Sequence, residues 1–243
     1  MEDSDAKQLN FYVTRPHTCS YLPDRTAVTL FADPKVRAST ELYSQLIDMG
    51  FRRSGDAIYR PHCDGCQACI SLRLSAASFI PNRAQQRAQR RNEDLAFTVV
   101  AADYSEEHYA LYRRYLAHRH SGGGMDDSGP ADYMKLLTCG DVTTELYEFR
   151  LANKLLAVAI TDRLERGLSA VYTFFDPDYA DRSLGVYAVL QQIATARHQG
   201  LQWMYLGYWI KDCQKMRYKS QYQPAQAYWQ GTWIDFEQLL AEY

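Results

Sequence analysis

Three cysteines recur at every third position, Cys63, Cys66 and Cys69, and a fourth, Cys19, lies in the same N-terminal part of the chain. Together they supply up to four thiolates for a zinc ion or an iron–sulfur cluster; the plainer reading is reduced, partly buried thiols that pack two loops together. Position 22 is Leu, where a C-x-x-C pair built on Cys19 needs its second thiol. A second group, Tyr208, Lys211, Lys215, Tyr218 and Lys219, gathers cations and phenol rings in one short segment, with a net charge of +3 from Lys211 to Lys219. Such rings stack on unstacked nucleic-acid bases and such cations meet phosphate or carboxylate, the alternative being a solvated charged turn. Arg83, Arg87, Arg90 and Arg91 are spaced i, i+4, i+7 and i+8, which puts four guanidiniums on one helix face, either a contact for a nucleic-acid backbone or a solvated face. Asp176-Pro177-Asp178 leads into Arg182-Ser183-Leu184-Gly185, half of a turn that grips a pyrophosphate at a helix N-terminus. Tyr187 stands where the second glycine of that turn would be, and its ring would crowd the approach.

An ordinary globular chain must position these groups. Over 243 residues, 47% are hydrophobic, 23% are charged and the formal net charge is -2, which excludes disorder and collagen-like repeats. Twenty Arg against seven Lys keep nucleic acid open as a partner despite that balance, because the guanidinium fork suits phosphate. The acidic start Met1 to Asp5 and the absence of an apolar run near the ~18 residues of a membrane helix predict neither a signal peptide nor a span. Cysteines without a secretory signal predict the cytosol.

Periodicity and caps predict short elements first: an extended piece at Phe11–Val13, a helix over Thr40–Met49 closed by Gly50, strands at Ala57–Arg60 and Ile70–Leu74, and the basic helix Asn82–Asn92 as a hinge. From Leu95 the pattern becomes regular: a strand to Ala101, a helix over Ser105–Arg119, a Gly-rich break at Gly122–Gly124 and a helix at Ala131–Leu137. An antiparallel meander follows at Thr143–Leu151, Leu155–Arg163 and Leu168–Phe175, then a helix over Ser183–Gln199 and a strand at Trp203–Tyr208. This order resembles the one expected of the GCN5-related acetyltransferase type of fold. The expected class is therefore α+β, with a small Cys-containing domain at 1–94 preceding an acetyltransferase-like mixed or antiparallel sheet with helices at 95–243.

Several longer strings resemble one family. They are Pro16-His-Thr-Cys-Ser-Tyr-Leu-Pro23, Tyr59-Arg-Pro-His-Cys-Asp-Gly-Cys-Gln-Ala-Cys69, Arg119-His120 with the glycines up to Met125, Val171-Tyr-Thr-Phe-Phe-Asp-Pro-Asp178, Arg182-Ser-Leu-Gly185, and Leu206 to Lys219. From about Phe11 to Trp233 the chain is similar to the bacterial branch of the arginyl-tRNA–protein transferase family, the aspartate/glutamate leucyltransferases. The resemblance implies transfer of leucine from leucyl-tRNA to the α-amine of proteins that begin with Asp or Glu, which marks them for the N-degron pathway. No cofactor is expected to be required for transfer; the enzyme is expected to be cytoplasmic, with no membrane partner, and a monomer by default, since no heptad or large apolar stripe is evident.

That reaction needs no protein nucleophile, since an α-amine of pKa about 7.7 to 8.0 is already partly free base at pH 7. It needs alignment of amine and ester, removal of a proton from nitrogen, stabilisation of an oxyanion and protonation of the leaving ribose oxygen. Under the resemblance, Asp176 is expected to hold the α-ammonium and relay its proton, with Tyr208 beside it in the catalytic set. Arg83, Arg87, Arg90, Arg91, Arg182, Ser183, Lys211, Lys215, Tyr218 and Lys219 are expected to bind tRNA or substrate. One of the lysines is expected to pair with the acidic side chain. Cys19, Cys63, Cys66 and Cys69 are the candidate metal ligands. His118 and His120 either meet a helix dipole or belong to a lid over the acceptor end. Two other classes stay open: an acyl-CoA-dependent N-acetyltransferase, and a non-catalytic module that binds tRNA or degrons.

Overall fold

The computed structural model describes residues 9–119 and 129–242. His120 and the glycine run to Met125 lie outside the described residues. Fourteen strands are described: β1 (Phe11–Val13), β2 (His17–Thr18), β3 (Thr26–Ala27), β4 (Thr29–Ala32), β5 (Arg52–Ser54), β6 (Ala57–Pro61), β7 (Ile70–Ser75), β8 (Ala96–Ala101), β9 (Thr144–Leu151), β10 (Lys154–Arg163), β11 (Gly167–Phe175), β12 (Trp203–Trp209), β13 (Gln226–Trp229) and β14 (Thr232–Asp235). The helices are α1 (Thr40–Asp48), α2 (Arg83–Arg91), α3 (Glu106–Arg119), α4 (Pro130–Leu137), α5 (Leu184–His198), α6 (Gln214–Arg217) and α7 (Phe236–Glu242), with a 3-10 turn at Pro177–Arg182 and another at Tyr218–Gln221. The chain is thus a mixed α+β fold.

Its main sheet has eight strands in the order β14-β13-β7-β12-β11-β10-β9-β8, and β1-β4-β6-β5 form a smaller one. β10 shows why this sheet is buried on both faces. Its run Leu155–Ile160 is apolar without interruption, so Ala157 and Ala159 pack on one side with Leu184, Ala188 and Ile193 of α5, while Val158 and Ile160 pack on the other with Tyr112 and Leu116 of α3. β9, β10 and β11 form the antiparallel meander expected from the turn at Ala152-Asn153 and the turn before Gly167. The local signals at helix starts hold as well. Ser39 caps α1 by accepting from the amide of Leu42, and Asn82 and Gln85 form a reciprocal capping box on α2.

β7 has a place that its own residues do not announce. It comes from the first 94 residues, yet it pairs with β12 through Ile70–Ser75 and with β13 at Leu72 and Arg73, inside the eight-stranded sheet. A division of the chain at 94/95 crosses this sheet and the core that Ile70, Leu72 and Leu74 share with Met204 and Leu206. α2, expected as a hinge, is docked: Asn92 at its end is fully buried and donates to the carbonyl oxygens of Ala88 and Arg182, each at 2.8 Å.

Candidate active site

β11 and β12 are parallel neighbours only at their starts. Gly167, Leu168 and Ser169 pair with Trp203, Met204 and Tyr205; both strands then continue, to Phe175 and Trp209, without further pairing to each other. A register shift between Tyr205 and Gly207 turns β12 away, with Gly207 at φ +84, the left-handed region that favours glycine. Arg52 of β5 enters the split. Its Nη1 donates to Ser169 Oγ at 3.1 Å and its Nη2 to the carbonyl oxygen of Ala170 at 2.5 Å. A Cβ at position 207 would lie 3.3 Å from Arg52 Nε, so any other residue would require the guanidinium to give by a few tenths of an ångström.

Lys219, in the 3-10 turn after α6, reaches the same place. Only 8% of the residue is exposed, and its ammonium donates to the carbonyl oxygen of Tyr208 at 2.8 Å and to Met216 Sδ at 3.0 Å. Burial first, and then the charge of Arg52, pull its pKa down to about 7, with Cys213 opposing them weakly. Tyr59 and Tyr208, whose phenols both feel the charge of Arg52, have ring centroids 6.2 Å apart, and Tyr208 lines the cavity of the cysteines. The Tyr208 hydroxyl lies within hydrogen-bond distance of the carbonyl oxygens of Gly50 at 3.1 Å and Tyr59 at 3.2 Å, and burial raises its pKa well above that of a free phenol. Tyr208 is therefore a buried tie between β12 and the smaller sheet. Tyr218 keeps 43% of its surface exposed, while its hydroxyl is buried toward Tyr115, Arg119 and Arg52 and is raised in pKa.

Asp176 ends β11 and is fully buried. Arg114 of α3 donates to its Oδ1 at 2.7 Å, Lys154 at the start of β10 lies 2.9 Å from Oδ2, and the amide of Asp178 donates to Oδ1 at 3.1 Å. Burial works to raise this carboxyl, but the bonds from Lys154 and the Asp178 amide and the charge of Arg114 outweigh it and hold the pKa below the usual carboxylate value. Both oxygens are thus occupied by groups of this chain. An anion so held is a poor proton acceptor at neutral pH, and it is bonded to Arg114 and Lys154, each about half exposed.

The arginines of α2 point outward, since Arg83, Arg87, Arg90 and Arg91 are all exposed while Gln85 and Ala88 are buried. Arg91 donates to the carbonyl oxygen of Asp181, and Arg182 forms a forked pair with Asp94 at 2.9 and 2.7 Å. Ser183 starts α5 in the left-handed region, at φ 57. Tyr187, expected to crowd this turn, is instead buried, its ring 5.4 Å from that of Phe149. The cationic segment divides: Lys211 and Lys215 are exposed, whereas Lys219 turns inward.

The four cysteines line one cavity of about 370 Å³, together with Arg25 and Arg60. Cys19 Sγ accepts from the amide of Tyr21, and Cys63 Sγ accepts from the amide of Val28, both at 3.4 Å. Burial, and after it the neighbouring thiols of Cys19, Cys63 and Cys66, push Cys69 up to about 12. Among the described residues no three His, Cys, Asp or Glu side chains converge to hold a metal ion. The donor set is present around one cavity.

Sequence reasoning missed three side chains of the site: Arg52, Arg114 and Lys154. For Arg114 and Lys154 no local signal distinguishes them from solvated cations. The pair Arg52-Arg53 in a strand carries one, because alternation forces one of two adjacent guanidiniums toward each face of a buried sheet.

Comparison with known proteins shows what the chain as a whole is similar to. Residues 17–87 match the family described as arginine-tRNA-protein transferase, N terminus, and residues 107–229 match its C terminus. A protein of Saccharophagus degradans, named aspartate/glutamate leucyltransferase, is 50% identical over 234 residues, which is 96% of this chain and 99% of that one. Relatives of the same name from Pseudomonas putida and Pseudomonas aeruginosa are 49% and 48% identical over 231 residues, 95% of this chain and 98% of theirs.

Proposed function

The chain belongs to the arginine-tRNA-protein transferase family, and from that premise we propose that it transfers leucine from leucyl-tRNA to the α-amine of proteins whose first residue is Asp or Glu. The observation that carries this reading is the identity of about half of all residues with leucyltransferases over nearly the whole of both chains. The amine nitrogen attacks the ester carbonyl, a C–N bond forms, the bond from carbonyl carbon to ribose oxygen breaks, and the proton lost by nitrogen ends on that oxygen. The product carries an N-terminal leucine, and its role is to mark the protein for degradation through the N-degron pathway. Strand, two helices, meander, long helix and parallel strand support assignment to the acetyltransferase type of fold. Incubation with leucyl-tRNA and peptides beginning Asp, Glu or Ala tests the function: leucine should appear on the first two alone. Acetylation from acetyl-CoA, or tRNA binding without turnover, would overturn it.

Within this reading, Asp176 orients Arg114 and Lys154 toward the ester-bearing end of the tRNA, and Tyr208 shapes the split. Lys211 and Lys215, with Tyr218, meet the single-stranded acceptor end. The exposed arginines of α2 contact the tRNA backbone beside the turn that Arg182 and Ser183 build. Charge reversal at Arg87 and Arg90 is expected to weaken binding of charged and uncharged tRNA alike and to flatten its salt dependence by about two ions, because each lost phosphate contact releases one fewer counterion. An unchanged slope in a salt titration would return this face to solvent.

No step requires a metal, and the four thiols act as reduced groups that tie loops around their cavity. Protein purified without oxygen is expected to hold far less than one zinc or iron per chain and to keep its turnover after chelation. One metal ion per chain that disappears in Cys66→Ser would show that the loops close on it. No helix among the described residues is long and apolar enough to cross a membrane, and we infer a monomer acting in the cytoplasm, where charged tRNA is found.

A further inference from the structure

Three cationic side chains are buried among the described residues: Arg52, Arg53 and Lys219. Arg53 has its counter-charge, Asp162, at 2.6 Å. Among the described residues Arg52 and Lys219 have none within salt-bridge distance; their partners there are a hydroxyl, two backbone carbonyl oxygens and a thioether. Burying a cation without an anion is costly, and the penalty is larger where a second cation faces the same space. Folding therefore maintains here a positive potential, set by Arg52 and by Lys219 when it is protonated, with no carboxylate partner among the described residues.

Beyond Ser169 and Tyr205 the two strands leave a gap in the middle of the sheet, and Ala170 to Thr173 of β11 are only half buried along it. Arg52 uses one bond to Ser169 and one to Ala170, so further N–H donors of its five remain for a ligand. The ammonium of Lys219, with two acceptors, has one donor left.

We propose that Arg52 and Lys219 together receive the side-chain carboxylate of the substrate's first residue, in the split between β11 and β12, and so restrict the acceptor to Asp and Glu. This rests on the leucyl-transfer reading given above. A carboxylate entering the split meets two donors already desolvated and held in place, and its one negative charge is shared between them. Asn and Gln keep the shape and leave both charges uncompensated, which is how a buried polar site rejects a near-isostere. The bonds to Ser169 and to the Tyr208 carbonyl fix the two cations in position, and Gly207 keeps the space for the guanidinium.

The test measures leucine transfer at fixed leucyl-tRNA to matched peptides beginning Asp, Asn, Glu or Gln. Lys219→Glu places a carboxylate of the chain beside Arg52, so the site fills itself. This variant should keep its Tm and its affinity for leucyl-tRNA while its KM for the acidic peptides rises roughly 10²-fold, the scale of a lost buried charge pair. Lys219→Met removes a buried charge without leaving an anion behind, and should reduce the preference for Asp over Asn by a similar factor. Arg52→Lys should retain more of that preference than Arg52→Gln. If Lys219→Glu and Lys219→Met accept acidic peptides with the wild-type KM, or lose tRNA and peptide binding in equal measure, the assignment is overturned. If the wild-type protein itself fails to leucylate acidic peptides, the fault lies in the functional reading instead.

Discussion

Replacing Asp176 by Asn is expected to lower kcat/KM for leucyl transfer about 10²-fold, near 2.7 kcal/mol of transition-state stabilisation, without altering the shape of the pH–rate curve. The carboxamide keeps the volume but offers one acceptor oxygen where the carboxylate has two, and it carries no charge. Arg114 and Lys154, about half exposed, then lose the anion that holds them and relax toward solvent. Misplacing such groups by about 1 Å is enough for a loss of this size. The pH criterion separates positioning from proton relay. The carboxyl is already held below its usual pKa, so it is ionised throughout the neutral range and contributes no limb to the profile there. Steady-state kinetics from pH 6 to 9 on both proteins, with Tm recorded beside them, decide the matter. Normal turnover would remove Asp176 from the site, and loss of one limb of the curve would restore it as a proton carrier.

Arg53→Met is expected to destabilise the fold by about 3–5 kcal/mol and to lower Tm by roughly 10 °C or more. Arg53 and Asp162 are essentially inaccessible, at 1% and 0% side-chain exposure, and make a forked contact at 2.6 and 2.7 Å. Arg53 also donates to the carbonyl oxygens of Leu136 and Thr138, while Thr144 donates its hydroxyl to Asp162, so one guanidinium joins β5, α4, β9 and β10. Removing the cation leaves Asp162 charged, buried and short of donors. The double variant Arg53→Met with Asp162→Leu should recover much of the loss, because an apolar pair of similar volume avoids desolvating either ion. Denaturant melts of the two variants check this; a double variant no more stable than the single one would show that the guanidinium acts chiefly through the carbonyl groups of α4.

Much of this protein was legible locally. Helix ends are written in caps such as Ser39 and the Asn82–Gln85 box, and the meander is written in three apolar runs separated by turns, since both depend on residues within a few positions of each other. The outward face of α2 is equally local: helical spacing alone gathers Arg83, Arg87, Arg90 and Arg91. The long motifs carried the family.

Tertiary structure decided what each buried charge meets. Arg52 and Arg53 are neighbours of one residue type, and alternation along a strand explains why they face opposite ways. Which of them finds a carboxylate depends on Asp162, 109 residues further on, and on a split that exists because β12 bulges at Gly207. Asp176 reads as a turn aspartate until Arg114 and Lys154 arrive from two other elements. Lys219 differs from Lys211 and Lys215 only in that its turn packs inward, where burial and the charge of Arg52 change its chemistry. Charge interactions act through space at a few ångströms and along no sequence period, so the pattern that foretold the elements was silent about the pairs.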